Sequence, residues 1–311
     1  MEAVQYDPQN RKLSFLKVPI PSQPKSKEVL VRVAFAGICG TDIHITEGKF
    51  PCRDTPFIMG HEFSGVVSAV GSDVKHIKKG DNVAVDPNSG CLTCDACHNG
   101  NYHYCTGGGI DKINGIYQDG GWAEYCLVPA DQVHKLPDNI TLEQAGLTEP
   151  LSCVSHGWDR IIPIPVGSRI LILGAGIIGN LWASVLHLQG HRRVIVSEPQ
   201  EARRKLLAKL ETGYDIITPE ELKTRRAKDL TWGVDLVIDC SGYAPAIEEA
   251  LDLINPGGIL CIFGVSSPQD RIRYLQYDKL GVKTYSLSQY EDALKALKKG
   301  TVAKAMFKME K

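Results

Sequence analysis

The sequence lacks any imbalance of charge: 35 Lys and Arg stand against 36 Asp and Glu, for a formal net charge of −1. That gives no electrostatic footprint for nucleic acid or an anionic membrane, and neither is expected as a partner. The N-terminus, Met1-Glu2-Ala3-Val4-Gln5-Tyr6, has none of the basic and apolar blocks of a secretory signal. Internal repeats and low-complexity tracts are also missing. Residues 170–190 contain no Asp, Glu, Lys or Arg, but Gly174, Gly176 and Gly179 interrupt them at the spacing of a strand-to-helix turn. That spacing argues against a membrane span. A cytoplasmic protein is expected. With 311 residues, the chain is long enough for two domains. Ten cysteines without a signal favour metal ligation over a disulfide framework.

The first part alternates short strand-like runs with turns. Residues 28–35 have period-two character, and further short strand-like runs follow at residues 63–70 after Gly60-His61-Glu62 and at residues 81–85 after Lys79-Gly80. Short strands punctuated by Gly and Pro predict an irregular β-barrel. Between the first two lies Cys39-Gly40-Thr41-Asp42-Ile43-His44. A thiol, an imidazole and nearby carboxylates within one segment can supply the three protein ligands of an open, catalytic zinc site. Cys39 and His61 are the first two candidates.

Next comes a Cys-x2-Cys-x2-Cys-x7-Cys run made by Cys91, Cys94, Cys97 and Cys105. Four thiolates this close can close a tetrahedral shell, which is a structural zinc site. Three cysteines at successive three-residue steps cannot all pair as disulfides. His98 and His103, in the same loop, are expected at the surface. From Thr141 the apolar residues Leu142, Ala145, Leu147, Leu151 and Val154 fall near a helical period. Glu149-Pro150 lies inside that stretch, and a glutamate there has no evident core role. It is a further candidate for the metal pocket.

The second domain opens with an apolar strand running into Gly174-Ala175-Gly176-Ile177-Ile178-Gly179 and then a helical run, residues 180–189. These glycines allow a tight turn and close approach of a pyrophosphate to a helix N-terminus. A second strand, residues 193–197, ends at Glu198, about twenty residues beyond the loop. A carboxylate there would bind ribose hydroxyls and repel a 2′-phosphate, favouring NAD, while Arg203 and Arg204 leave NADP open. Residues 234–240 and 257–264 read as buried parallel strands, with a helix over 244–253 between them.

With these motifs in place, the chain resembles the zinc-dependent medium-chain alcohol dehydrogenase family. The resemblance rests on Cys39-Gly-Thr-Asp-Ile-His44, Gly60-His-Glu-Phe-Ser-Gly65, the four-cysteine loop and Gly174-Ala-Gly-Ile-Ile-Gly179. Glu149-Pro-Leu-Ser152 looks like the polyol branch, the sorbitol and arabinitol dehydrogenases. The resemblance implies an α/β fold: a GroES-like β-barrel catalytic domain over residues 1–157, rejoined by residues 275–311, and a Rossmann NAD(P)-binding domain over residues 158–274. It implies one catalytic and one structural zinc, with Glu62 or Glu149 completing the catalytic ligands. It also implies a proton relay from Thr41 to His44, and hydride transfer from a secondary alcohol of a polyol to NAD(P). Threonine-type or primary alcohol dehydrogenation is the alternative within the class.

One departure stands out. After Gly264 the family continues through further helix and a sixth parallel strand, whereas here residues 271–278 lead almost directly to Leu280. One strand, one or two helices and their loops amount to roughly 30–45 residues. A shortened Rossmann sheet lacking its last strand is therefore expected. The family's homo-oligomer is in question without that edge strand, and a catalytically impaired zinc- and nucleotide-binding variant is a further alternative.

Overall fold

Alternating apolar and polar residues at the start of the chain build antiparallel pairs. In the computed structural model, which describes residues 1–107, 109–266, 282–285, 287–299 and 304–307, β1 (Glu2–Asp7) pairs with β2 (Lys12–Lys17). The next elements are β3 (Glu28–Ala36), the short helix α1 (Gly40–Thr46), β4 (Phe57–Ile58), β5 (Phe63–Val70) and β6 (Asn82–Val85). They are followed by α2 (Asp95–His98), β7 (Tyr125–Pro129) and β8 (Val133–Lys135). Two antiparallel sheets result, in the orders β2-β1-β4 and β7-β3-β5-β6-β8. Val29, Val31, Phe63, Val67, Val83, Val85 and Val128 pack between the strands of the larger one.

The register of β3 against β5 positions the site. Ala36 lies opposite Phe63, after a shift between Val33 and Phe35. The ladder then continues one step into the loops, where the Gly37 N–H donates to the Glu62 carbonyl at 2.7 Å. Cys39 and the His61-Glu62 pair, 22 residues apart in sequence, are brought together by this single pairing.

The helical pattern from Thr141 resolves into two helices, α3 (Leu142–Ala145) and α4 (Thr148–Ile161), where one run was expected. Gly146 and Leu147 separate them, and Pro150 falls in the first turn of α4, where its missing N–H costs no helical hydrogen bond. Val154 and Ile161 of α4 join the core of the sheet that follows.

That sheet is parallel. Its strands are β9 (Ile170–Leu173), β10 (Val194–Ser197), β11 (Asp215–Ile217), β12 (Val234–Asp239) and β13 (Ile254–Ile262), in the order β11-β10-β9-β12-β13. The crossovers are α5 (Ile177–Leu188), α6 (Glu201–Ala208), α7 (Pro219–Lys228) and α8 (Ala244–Leu251). Strand side chains alternate between two cores: Ile170, Ile172, Val194, Val196 and Ile238 pack with Trp182 of α5, while Leu171, Leu173, Ile195 and Val237 pack with Leu222 of α7. The strand order reverses between β9 and β12, which leaves a crevice at their C-terminal ends.

The fold is α/β, a GroES-like barrel domain with a Rossmann-type parallel sheet. Among the described residues the parallel sheet has five strands and β13 lies at its edge. The abrupt connection at residues 271–278 lies outside the described residues. Beyond it, β14 (Val282–Tyr285) and β15 (Lys304–Phe307) pair in parallel on either side of α9 (Tyr290–Lys298). Among the described residues no helix is long and apolar enough to cross a membrane.

Candidate active site and metal centres

Cys39 occupies the residue before α1, and its backbone N–H donates to Asp42 Oδ2 at 2.8 Å, a local cap that fixes the helix entry. His61 and Glu62 sit just before β5. A sulfur, a ring nitrogen and a carboxylate oxygen from Cys39, His61 and Glu62 all lie within 4.8 Å of one another. Zinc bonds of about 2.0–2.3 Å in tetrahedral geometry place donors about 3.3–3.8 Å apart, so the cluster needs only a small contraction to close on one ion. The donor set is the mixture of thiolate, imidazole and carboxylate that zinc takes, and it leaves a fourth position open.

Without a bound cation the surroundings favour the protonated forms of these donors, so binding an ion here would release protons. His61 Nδ1 faces Asp42 Oδ1 at 3.4 Å, and Asp42 is only 2% exposed. A carboxylate at Nδ1 leaves Nε2 as the donor. Burial works against a charged imidazole, but Asp42 and Cys39 more than offset it and hold the His61 pKa at about 11. Burial pushes the carboxyl of Glu62 up, and does the same to Glu149. The charges of His61 and Glu62 both reach Glu149, so α4 carries it to the rim of the cluster without making it one of the three converging donors. Cys153, one helical turn on, directs its thiol to Glu149 Oε1 at 3.5 Å.

Thr41 and His44 lie one turn apart on α1. Among the described residues His44 Nδ1 is buried with no hydrogen-bond partner, and Thr41 is half-buried.

The four-cysteine run forms a separate lobe. Cys91, Cys94, Cys97 and Cys105 each bring a sulfur within 4.8 Å of the others, and all are free thiols. Cys94 Sγ lies 3.6 Å from Cys97 Sγ and 3.8 Å from Cys105 Sγ. Four Zn–S bonds of about 2.3 Å give sulfur separations of about 3.8 Å, so this shell fits a zinc ion as it stands. Hydrogen bonding from Thr93 pulls the Cys91 thiol down, while burial pushes Cys97 up. Such crowded thiols share protons unless a cation allows all four to ionise. His98 and His103 are exposed, as expected, and the His103 ring meets His156 of α4 edge-on with centroids 5.0 Å apart. Tyr102, next to it, donates its hydroxyl to Asp86 at the end of β6.

At the second domain the glycine loop adopts the strand-to-helix turn. Gly174 has φ +96°, and a Cβ on Gly179 would come within 2.1 Å of the Gly174 carbonyl oxygen. A Cβ on Gly176 would meet nothing within 4 Å, because that residue faces an open cavity. The cavity, about 710 Å³, is lined by Gly174, Gly176, Glu198, Arg203, Ser241 and Tyr243 among others. Ile177 and Ile178 begin α5 directly after Gly176 and are not among the residues that line the cavity. Glu198 is 2% exposed: its Oε2 accepts from the Ala175 N–H and its Oε1 from the Gln200 N–H, each at 2.8 Å. Arg203 approaches Glu198 Oε2 at 3.9 Å, while Arg204 is turned to the carbonyls of Glu198 and Pro199.

Three contributors had no signal in the sequence. Trp122 donates its indole N–H to the Gly37 carbonyl at 2.8 Å. Asp86 anchors the cysteine lobe. Asp239, fully buried, accepts from the Ser241 hydroxyl and from the Ser241 and Gly242 N–H groups, shaping the turn beside the cavity.

Comparison with known proteins agrees with this layout. Residues 25–138 match the alcohol dehydrogenase GroES-like domain family, and residues 178–303 match the zinc-binding dehydrogenase family. L-threonine 3-dehydrogenase of Pyrococcus furiosus is 39% identical over 256 residues, covering 80% of this chain and 72% of the relative. D-xylulose reductase A of Aspergillus oryzae is 36% identical over 258 residues, covering 79% and 71%. Among solved structures, a zinc-binding dehydrogenase from Sinorhizobium meliloti 1021, bound to NADP, superposes with a TM-score of 0.79 at 31% identity, covering 98% of this chain and 83% of that one. With the barrel, the parallel sheet and both donor clusters in place, the chain belongs to the zinc-dependent medium-chain alcohol dehydrogenase family.

Proposed function

We propose that the protein is a zinc- and NAD(P)-dependent dehydrogenase that interconverts a secondary alcohol of a polyol and the corresponding ketose. The observation that carries this reading is the convergence of Cys39, His61 and Glu62 on a common point, with Glu149 at its edge. Cys39, His61 and Glu62 would hold the catalytic zinc, and Cys91, Cys94, Cys97 and Cys105 the structural one. Glu149 then stays free to accept a hydrogen bond from a substrate hydroxyl. When bound, the catalytic metal supplies Lewis acidity that lowers the pKa of an alcohol, and the dinucleotide supplies the hydride acceptor.

The chain's own groups do the rest. Asp42 holds His61 through Nδ1, and burial of the cluster strengthens each of these electrostatic contacts. The Thr41 hydroxyl takes up the alcohol proton and passes it toward His44, whose Nδ1, buried and unpartnered among the described residues, is able to accept one. Gly174, Gly176 and the first N–H groups of α5 receive the pyrophosphate, and Glu198 fixes the loop that presents them. NAD is the favoured cofactor because a carboxylate stands at the end of β10; Arg203 keeps NADP in play.

A neutral polyol suits a pocket edged by Glu149, which can accept a hydrogen bond from a substrate hydroxyl without a counter-charge on the substrate. The 39% identity to an L-threonine 3-dehydrogenase favours a second reading, oxidation of the hydroxyl of threonine. Side-by-side kcat/KM for sorbitol, xylitol, arabinitol and threonine with zinc-replete protein separates the two. Turnover of threonine alone would overturn the polyol reading, and turnover of neither would overturn both. Assembly as a homo-oligomer belongs to the same proposal and is checked by sedimentation.

A further inference from the structure

The geometry points to Trp122 as a positioning residue for the catalytic metal, acting by clamping together the two loops that carry the ligands. This rests on the reading that Cys39, His61 and Glu62 hold that ion. Trp122 touches both loops. Its indole N–H donates to the Gly37 carbonyl, two residues before Cys39, at 2.8 Å. Its ring covers Gly60, directly before His61, so closely that a Cβ on Gly60 would lie 2.2 Å from the indole Cδ1. Its own backbone N–H donates to the Met59 carbonyl at 2.9 Å, and its carbonyl accepts from the Val4 N–H at 2.8 Å, so the ring is anchored to the barrel.

The clamped backbone in turn shapes a ligand. A Cβ on Gly37 would meet Glu62 Oε2 at 2.2 Å, so the glycine backbone lies directly against the carboxylate. The Gly37 N–H also donates to the Glu62 carbonyl at 2.7 Å. Holding Gly37 by its carbonyl therefore fixes the wall against which the Glu62 carboxylate rests. A phenylalanine in place of Trp122 would fill much of the same space over Gly60 but offer nothing to the Gly37 carbonyl. The indole nitrogen thus separates packing from positioning: the ring packs, and the N–H sets the distance between the Cys39 and Glu62 loops. Groups one step behind metal ligands typically change metal affinity by about 10–100-fold.

The test is zinc release from the full-length holoprotein by a competing chelator, for wild type and Trp122→Phe, together with the visible spectrum of the cobalt-substituted forms. The expected result is that one of two ions in W122F is released at about tenfold lower chelator concentration, with an altered cobalt spectrum at that site. The four-cysteine ion should be unchanged, and the stripped variant should remain folded at the assay temperature, its melting midpoint lowered only by the lost hydrogen bond and smaller ring. Equal release from both sites in W122F and wild type, or parallel loosening of both ions, overturns the inference. A measurement on the unaltered chain covers the case in which W122F does not fold. The Trp122 indole N–H should exchange with solvent about tenfold more slowly in zinc-loaded than in stripped protein, and equal rates overturn the clamp. A wild type that holds only the four-cysteine ion overturns the metal reading and this inference together. A wild type with two ions and an indifferent W122F overturns this inference alone.

Discussion

Glu198 Oε2 accepts a hydrogen bond from the Ala175 N–H at 2.8 Å, so the end of β10 is tied to the glycine turn between β9 and α5. With its other oxygen on the Gln200 N–H, the carboxylate spans two backbone donors, one buried and one partly exposed. Glu198→Ala leaves both unpaired, which costs about 1–3 kcal/mol for the buried donor and loosens the loop. The expected outcome is a lower unfolding midpoint in urea together with weaker dinucleotide binding by calorimetry. Glu198→Gln removes the charge and keeps an acceptor for only one of the two N–H groups, so it should weaken NAD binding less than Glu198→Ala while raising kcat/KM with NADP relative to NAD. An unchanged cofactor ratio would remove Glu198 from the specificity argument.

The glycines of that turn make a paired prediction. Gly179→Ala drives a Cβ to within 2.1 Å of the Gly174 carbonyl oxygen and should destabilise the chain by at least about 1–3 kcal/mol, as overpacking does. Gly176→Ala meets no neighbour within 4 Å, so it should leave the melting midpoint unchanged and still weaken dinucleotide binding. Equal effects of the two on stability would contradict the assignment of Gly176 to the open cavity.

In the cysteine lobe, Cys94→Ser removes the sulfur that lies 3.6 and 3.8 Å from two others. Metal analysis should fall from two zinc ions per chain to one. The melting midpoint should drop by about 2–4 °C for each kcal/mol that the ion contributed. Because His103 of the lobe meets His156 of α4 edge-on, the loss should also be felt at the helix that carries Glu149. A stable variant that keeps two ions would refute the structural site.

Acid sensitivity offers a test away from the metals. The Arg169 N–H and the Asn255 amide both donate to Asp235, and they hold its carboxyl below the usual carboxylate range. A depressed folded pKa contributes stability that is present above the unfolded value, about 3.9, and is lost as pH falls through the folded one. Asp235→Asn should therefore be less stable than wild type near neutral pH, with the difference shrinking in urea titrations below about pH 4. A difference that grows in acid would have the wrong sign.

What the sequence disclosed is what lies close together along it. The Cys91–Cys105 run and the Gly174–Gly179 turn each build their geometry from one short segment, so spacing alone defined them. Cys39 and His61 were legible because a strand ends before one and another begins after the other. What stayed hidden depends on contacts between distant segments. Trp122 reaches Gly37 across 85 residues, and nothing in its neighbourhood marks it. That Glu62 and not Glu149 converges with Cys39 and His61 depends on how α4 docks, which periodicity does not encode. The break at Gly146–Leu147 was missed because the apolar spacing runs through it unchanged. Glu198, expected to face a ribose, lies buried with its carboxylate on the Ala175 N–H, a contact that no spacing rule supplies.

The most direct test is the formation of reduced nicotinamide from a polyol by the zinc-loaded chain, followed by the same assay on Cys39→Ser with its four-cysteine ion still bound. The account predicts polyol-dependent turnover in the wild type and its loss, by at least about two orders of magnitude, in the variant. Turnover that survives the removal of Cys39 would contradict it.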